Sequence, residues 1–165
     1  MPVRSPLSGF GRWFLPETHA LPLGSPLPDL SATNELTERV HLRNFAAGWT
    51  FVYFYPQAST PGCTAQACSL RDAYADLLDH GITVFGVSSD RPPDLRRFRE
   101  NEALPFQLLS DSDGHLADAF RVPRFLGFAK RQAFLFKDGR LVWRDLSAST
   151  SRQATDVLAA LRESP

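Results

Sequence analysis

One stretch of the chain limits the fold more than any other, because it joins two strand-like runs through a helical one. Residues 50–55 read TFVYFY and end at Pro56, a pattern that predicts a strand buried on both faces. Residues 60–80 repeat apolar positions three or four apart before Gly81, which predicts a single helix. Residues 82–88 (ITVFGVS) predict a second buried strand. The stretch therefore predicts a strand–helix–strand unit with parallel strands.

The rest of the chain extends this unit into an α/β sandwich. Lys137-Asp138-Gly139-Arg140 is a hairpin signal, so it predicts an antiparallel strand pair. The further predicted elements are an edge strand at 39–42, helices at 94–101 and 116–120, strands at 106–109, 132–136 and 141–144, and a last helix capped by Thr150 or Ser151 and ending near Arg162. The predicted fold class is α/β, a thioredoxin-like sandwich with a mixed central sheet flanked by helices.

Composition favours one soluble domain and excludes several classes of protein. The 165 residues are 43% apolar and 22% charged, which is ordinary for a globular domain. No stretch approaches the roughly 18 apolar residues of a membrane span. Lys plus Arg is 18 and Asp plus Glu is 18, a balance that argues against binding through phosphate neutralisation. We expect no nucleic acid and no membrane among the partners.

The amino-terminal segment is predicted to be an extended arm. Six of the 13 prolines fall within the first 28 residues, and such a segment cannot form a long helix or a central strand. We predict a Pro-rich arm over residues 1–22 and a thioredoxin-like domain over residues 23–165. In the arm, an apolar patch is expected to dock on the protein's own surface or on another subunit; it consists of Phe10, Trp13, Phe14 and Leu15.

The two cysteines, Cys63 and Cys68, lie in the same predicted helix. A disulfide between them would close a very small loop and add little stability, so the pair indicates redox chemistry or half of a metal site. Cys63 falls in the first helical turn, where unpaired N–H groups and the helix dipole favour a thiolate. It also follows the carboxyl end of a parallel strand, the edge at which α/β sheets bind ligands. Cys63 is the predicted nucleophile.

The residues around Cys63 resemble the active-site signature of the peroxiredoxins, Pro56-x-x-x-Thr60-x-x-Cys63. The longer string FYPQASTPGCTAQAC at 54–68 is similar to their bacterioferritin-comigratory (peroxiredoxin Q) subfamily. The resemblance extends from about Gly24 to Val142 and includes LLSD at 108–111 and RQAFL at 131–135. It implies reduction of hydrogen peroxide and organic hydroperoxides through a cysteine sulfenic acid, without a cofactor.

The resemblance gives each residue of the signature an expected role. Cys63 would be the peroxidatic nucleophile, while the Thr60 hydroxyl and the N–H groups near Gly62 and Cys63 would bind the peroxide. Pro56 has no N–H group and would shield the thiolate from water. By resemblance the guanidinium partner is Arg131, and Arg124 is the alternative. Without such roles, Thr60 would be a plain helix cap and Arg131 a surface charge.

Cys68 is either a bystander or the resolving cysteine. Positions five apart in an ideal helix have Cα atoms roughly 8.6 Å apart, beyond the roughly 7 Å limit of an unstrained disulfide. A disulfide would therefore require the first turns to unwind. The subfamily resemblance implies this outcome, with Cys68 condensing with a Cys63 sulfenic acid and a dithiol such as thioredoxin reducing the product. A resolving cysteine in the same helix makes a monomer sufficient.

Two other functions stay open at this level. A thioredoxin-like disulfide reductase or isomerase would act without peroxide, although the chain lacks a C-x-x-C motif. A redox sensor or holdase would expose apolar surface to a partner in one redox state. The residues Pro56 and Thr60 have no obvious use in either function.

The histidines and the amino-terminal segment indicate whether the chain binds a metal and where it is located. The four histidines, His19, His41, His80 and His115, show no metal-ligand spacing with the cysteines, so we expect no metal. Proline and glycine interrupt any apolar run in the amino-terminal segment, which does not resemble a secretory signal. We therefore expect a cytoplasmic protein.

Overall fold

A computed structural model describes residues 19–164. Its strands are β1 (Ser31–Asn34), β2 (Arg39–His41), β3 (Trp49–Phe54), β4 (Ile82–Ser88), β5 (Gln107–Ser110), β6 (Arg124–Phe125), β7 (Phe128–Ala129), β8 (Gln132–Lys137) and β9 (Arg140–Asp145). Its α-helices are α1 (Pro61–Asp72), α2 (Tyr74–Asp79), α3 (Pro92–Glu102), α4 (His115–Ala119) and α5 (Gln153–Glu163), and a 3-10 helix spans Leu42–Phe45. No helix in this part of the chain is long and apolar enough to cross a membrane.

Seven strands form one mixed sheet in the order β2-β1-β5-β4-β3-β8-β9, and β6 pairs with β7 in a separate ribbon. β4 lies parallel to both β3 and β5, whereas β8 runs antiparallel to β3 and β9. Asp138 and Gly139 both have positive φ at the turn between β8 and β9, as a tight hairpin requires. The predicted α/β sandwich with a mixed sheet is confirmed.

Each face of the sheet carries its own apolar core. The packing of β3 explains why its sequence is apolar throughout. Phe51 and Tyr53 belong to the core under α1, α2, α3 and α5. Val52 and Phe54, on the other face, belong to the core under α4. Because helices cover both faces, both sets of side chains are removed from water. Cys63 itself is part of the first core, so its side chain is packed among apolar residues on that face.

The predicted single helix over residues 60–80 is wrong, because the chain bends at Ala73 and forms two helices. No proline or glycine lies at the bend. α1 packs against α5, whereas α2 packs against β4. The two helices thus have different neighbours, and tertiary packing overrides the continuous local propensity.

Smaller differences also have local causes. The last helix begins at Gln153 rather than after a Thr150 or Ser151 cap, and the Ser149 hydroxyl instead accepts a hydrogen bond from the Arg152 N–H. β1 and the β6–β7 ribbon were not predicted; each is short, with only four and two residues per strand. Segments of this length carry too few residues for a periodic signal.

The chain before β1 contacts the hairpin strand β9. The Gly24 N–H donates to the Leu141 carbonyl at 2.8 Å, and the Leu141 N–H donates to the Ser25 carbonyl at 2.9 Å. Leu21 and Leu27 are buried. The predicted aromatic patch of the arm lies outside the described residues.

Candidate active site

The loop from β3 to α1 is held in place by the end of the neighbouring strand. The Ala58 N–H donates to an Asp90 carboxylate oxygen at 2.7 Å, and the Ser88 hydroxyl donates to the same oxygen at 2.7 Å. Ser59 has a φ of 63°, a left-handed conformation that is uncommon for a residue with a side chain. The turn directs the chain from the sheet edge into α1 and fixes where that helix begins.

Cys63 is the third residue of α1 and is almost completely buried, with 1% of its surface exposed. The Thr64 N–H makes the first helical bond, to the Thr60 carbonyl at 2.9 Å. The N–H groups of Gly62 and Cys63 therefore precede the helical ladder and remain donors at the helix end. This is the site that the sequence predicted for a nucleophile, and its position in the first turn is confirmed.

Arg131 contacts the Cys63 sulfur directly. Its Nη2 donates to Cys63 Sγ at 3.3 Å, and its Nη1 donates to Gln66 Oε1 at 2.5 Å. A Cβ atom at Gly62 would lie 3.2 Å from Nη2, so glycine leaves room for the guanidinium. The Arg131 carbonyl accepts a hydrogen bond from the Ala148 N–H at 3.1 Å. Both the backbone and the side chain of Arg131 are thus fixed.

Two glutamines that the sequence did not single out orient this arginine. Gln66 Nε2 donates to Gln153 Oε1 at 2.6 Å, and both side chains are completely buried. Gln66 thus holds the guanidinium of Arg131 directly and Gln153 holds Gln66, and because both amides are neutral they do not neutralise its charge. Gln66 lies in the string at 54–68, which resembles the peroxiredoxin Q subfamily. Gln153 begins α5, 87 positions later, and no local pattern links such distant residues.

Thr60 lies at the N-cap position of α1 but does not cap the helix with its side chain. Its hydroxyl donates to the Gln57 carbonyl at 2.8 Å instead, so the plain helix-cap interpretation is wrong. The oxygen retains its lone pairs as hydrogen-bond acceptors. Pro56 begins the loop just after Tyr55, at the end of β3, and is half-buried.

The alternative arginine, Arg124, has different neighbours. Its Nη2 forms an ion pair with Asp118 at 3.1 Å, and its guanidinium lies against Gly114 at the start of α4. Arg131, the arginine that the resemblance indicated, therefore contacts the Cys63 sulfur, and the alternative Arg124 lies at α4.

Cys68 points toward a different helix. Its thiol donates to Glu102 Oε2 at 3.4 Å. Cys68 is half-buried, whereas Cys63 is buried. Burial, together with the hydrogen bond to Glu102, raises the pKa of the Cys68 thiol. Both cysteines are free thiols within one continuous helix, α1.

One cluster of metal-binding residue types occurs in the described part of the chain. Ligand atoms of Asp111, Asp113 and His115 lie within 4.8 Å of one another. The Asp111 oxygens already accept hydrogen bonds from the Leu116 and Ala117 N–H groups. His115 Nε2 lies 2.7 Å from the Ser31 carbonyl oxygen. These side chains hold the start of α4 and β1 together.

Comparison with known proteins places these features in a family. The sequence profile of the AhpC/TSA family matches residues 23–144. The chain is 45% identical over 102 residues to peroxiredoxin Bcp of Escherichia coli, covering 62% of this chain and 65% of that protein. This alignment thus spans a little under two thirds of the E. coli relative. Peroxiredoxin Bcp of Bacillus subtilis is 33% identical over 132 residues, which cover 74% of this chain and 84% of that one.

Solved structures agree with this relationship along a longer part of the chain. Peroxidoxin BcpB from Mycobacterium tuberculosis superposes with a TM-score of 0.80 at 30% identity, covering 85% of this chain and 96% of that one. The bacterioferritin comigratory protein of Xanthomonas campestris gives 0.78 at 29% identity, with coverage of 86% and 96%. On the profile match and these relatives, the chain belongs to the AhpC/TSA family, in its bacterioferritin-comigratory (peroxiredoxin Q) branch.

Proposed function

We propose that the protein is a thiol-dependent peroxidase that reduces hydrogen peroxide and organic hydroperoxides at Cys63. The observation that carries the proposal is the hydrogen bond from Arg131 Nη2 to Cys63 Sγ, 3.3 Å long. A fixed guanidinium beside a buried sulfur is placed to stabilise negative charge that develops during the reaction. Organic substrates are included because the X. campestris relative is described by its alkyl peroxide reduction activity.

The first step is attack of the Cys63 thiolate on one peroxide oxygen. The S–O bond forms, the O–O bond breaks, and the leaving oxygen takes up a proton to become water or an alcohol. Arg131 and the N–H groups of Gly62 and Cys63 would stabilise the negative charge on that oxygen. Because the Thr60 hydroxyl donates to the Gln57 carbonyl, its lone pairs would accept the O–H of the peroxide. Pro56 offers no N–H group that would hold water in the loop.

In the second step, Cys68 would condense with the Cys63 sulfenic acid to give a disulfide and water. Both residues lie on α1, and an intact helix keeps their Cα atoms roughly 8.6 Å apart, so the first turns must unwind. An external dithiol, thioredoxin in our proposal, would then reduce the disulfide and return both thiols. A resolving cysteine on the same helix requires no second subunit, and we propose a monomer.

Oxidation is expected to expose the backbone of α1 locally. When the disulfide forms, amides between Cys63 and Cys68 should lose protection against hydrogen exchange, because their helical bonds must break. The measurement is amide exchange by mass spectrometry on reduced and peroxide-treated protein. The amides of α4 (His115–Ala119), which covers the opposite face of the sheet, serve as the internal control and should exchange alike. Equal protection of residues 63–68 in both states would contradict the unwinding step.

Steady-state turnover separates the peroxidase from the two other functions. With thioredoxin, thioredoxin reductase and NADPH present, peroxide should be consumed over many turnovers. In a separate assay with dithiothreitol as the reductant, and without thioredoxin or peroxide, reduction of a disulfide substrate such as insulin should not exceed the uncatalysed rate. Insulin reduction without peroxide would indicate a disulfide reductase. Single-turnover oxidation followed by capture of a partner in one redox state only would indicate a sensor or holdase.

A further inference from the structure

A polar cluster links the middle of α1 to the carboxyl end of α3. Cys68 Sγ lies 3.4 Å from Glu102 Oε2, and Arg71 Nη1 donates to the Glu102 carbonyl at 2.8 Å. The last carbonyl groups of a helix have no intrahelical partner, so Arg71 satisfies one of them. Glu102 therefore contacts α1 through its backbone at Arg71 and through its carboxylate at both Cys68 and Arg71, whose Nη1 lies 3.9 Å from Oε2.

The charges that face Cys68 are mostly negative. They come from Arg71 and Asp72 on α1 and from Glu102 on α3. A further titratable group that interacts with Cys68 is the buried hydroxyl of Tyr53 on β3. Arg71 is shared between the two carboxylates, because its Nε pairs with Asp72 at 3.0 Å and its Nη1 lies 3.9 Å from Glu102 Oε2, farther from that oxygen than the Cys68 sulfur is. The thiol consequently meets a carboxylate, whose charge opposes loss of the sulfur-bound proton. This agrees with the raised pKa of Cys68.

We propose that Glu102 is a positioning residue for the second step of the reaction, holding the Cys68 thiol in helical α1 and slowing formation of the disulfide. The proposal rests on the peroxidase cycle described above. For the disulfide to form, Cys68 must leave Glu102 and lose its proton. Its sulfur then attacks the Cys63 sulfenic sulfur, the S–S bond forms, the S–O bond breaks, and hydroxide leaves and is protonated to water. Glu102 opposes both the departure and the deprotonation.

Slower disulfide formation has a consequence for Cys63. A sulfenic acid that persists can react with a second peroxide molecule and become a sulfinic acid. The strength of the Cys68–Glu102 contact would therefore set how much peroxide the enzyme tolerates before it is inactivated. Removing the charge at position 102 should shorten the life of the sulfenic acid and reduce sulfinic acid formation under excess peroxide.

The test is Glu102→Gln, which keeps the size and an acceptor oxygen but removes the charge. After one equivalent of hydrogen peroxide, disulfide formation should be about threefold to tenfold faster than in wild type. As the pH is raised, disulfide formation in Glu102→Gln should accelerate at a lower pH than it does in wild type. Loosening of the helix alone would instead raise the rate by the same factor at every pH. Glu100→Gln is the matched control, since Glu100 is exposed on the same helix and pairs with Arg96. It should leave the rate unchanged.

The outcomes distinguish this proposal from the peroxidase itself. Oxidation of Cys63 to a sulfenic acid, followed in Cys68→Ser, should proceed at the wild-type rate with or without Glu102→Gln. If it does, and Glu102→Gln alone forms the disulfide at an unchanged or slower rate, Glu102 does not restrain Cys68. If no sulfenic acid forms at all, the peroxidase proposal fails first. Glu102→Asp retracts the carboxylate while keeping the charge, so its rate of disulfide formation should lie between those of wild type and Glu102→Gln. A rate below that of wild type would also contradict the proposal.

Discussion

Replacing Arg131 with alanine should slow oxidation of Cys63 by hydrogen peroxide by about 10²–10³-fold, the usual effect of removing one donor from a charge-stabilising site. Two losses combine in this variant. The Cys63 sulfur loses the hydrogen bond from Nη2, and the leaving peroxide oxygen loses a positive charge. The rate is measured by stopped-flow fluorescence or by competition for peroxide with a reference peroxidase.

Two further arginine variants show what the side chain contributes. Arg131→Lys keeps a charge but not the fork that contacts both Cys63 and Gln66, so we expect an intermediate rate. Arg124→Ala removes the other arginine that the sequence suggested, which pairs with Asp118, and should leave the rate within a factor of three, on the order expected for a residue outside the site. A folded Arg131→Ala protein that reacts as fast as wild type would overturn the proposed role.

Replacing Arg99 with methionine should have the largest effect on stability. Its Nη1 forms an ion pair with Glu35, whose side chain is 1% exposed, and the other Glu35 oxygen accepts the Leu108 N–H at 3.2 Å. Arg99→Met leaves a buried carboxylate without its cation, and loss of one partner of a buried pair costs about 3–5 kcal/mol of unfolding free energy. Urea unfolding followed by fluorescence measures this difference.

The matched control is Arg97→Met on the same helix. Arg97 pairs with Asp94 at 2.9 Å, but both side chains are more than half exposed, at 67% and 56%. An exposed pair of this kind contributes at most about 1 kcal/mol. Equal losses of stability in Arg97→Met and Arg99→Met would show that the burial of Glu35 is not what makes the inner pair important.

The part of the fold that the sequence predicted is the part with strong local signals. The run at 50–55 is apolar at every position because both faces of β3 are covered, and the Asp138–Gly139 turn needs two positive φ values. The bend at Ala73 has no such signal, since it arises from the different neighbours of α1 and α2. Local propensity cannot indicate which helix will contact which strand.

The candidate site likewise combines residues from one local motif, which the sequence can indicate, with residues from distant segments, which it cannot. Cys63, Gly62 and Thr60 lie together in one loop and helix start, so a short pattern places them. Gln153 reaches the site from α5, and Glu102 reaches Cys68 from α3. Both are ordinary polar residues in their own segments, and only the folded chain brings them to α1. The role of Thr60 as a hydrogen-bond donor to Gln57 also depends on a loop conformation that no pattern specifies.

The most direct test of the central claim is the intact mass and free-thiol count after one equivalent of hydrogen peroxide, for wild type, Cys63→Ser and Cys68→Ser. We expect wild type to lose two hydrogen atoms and both thiols within seconds. Cys68→Ser should gain one oxygen atom as a sulfenic acid that a dimedone probe traps, and Cys63→Ser should keep its thiol. Wild-type thiols that remain unreacted over this time, or a Cys63→Ser protein oxidised as fast as wild type, would contradict the account.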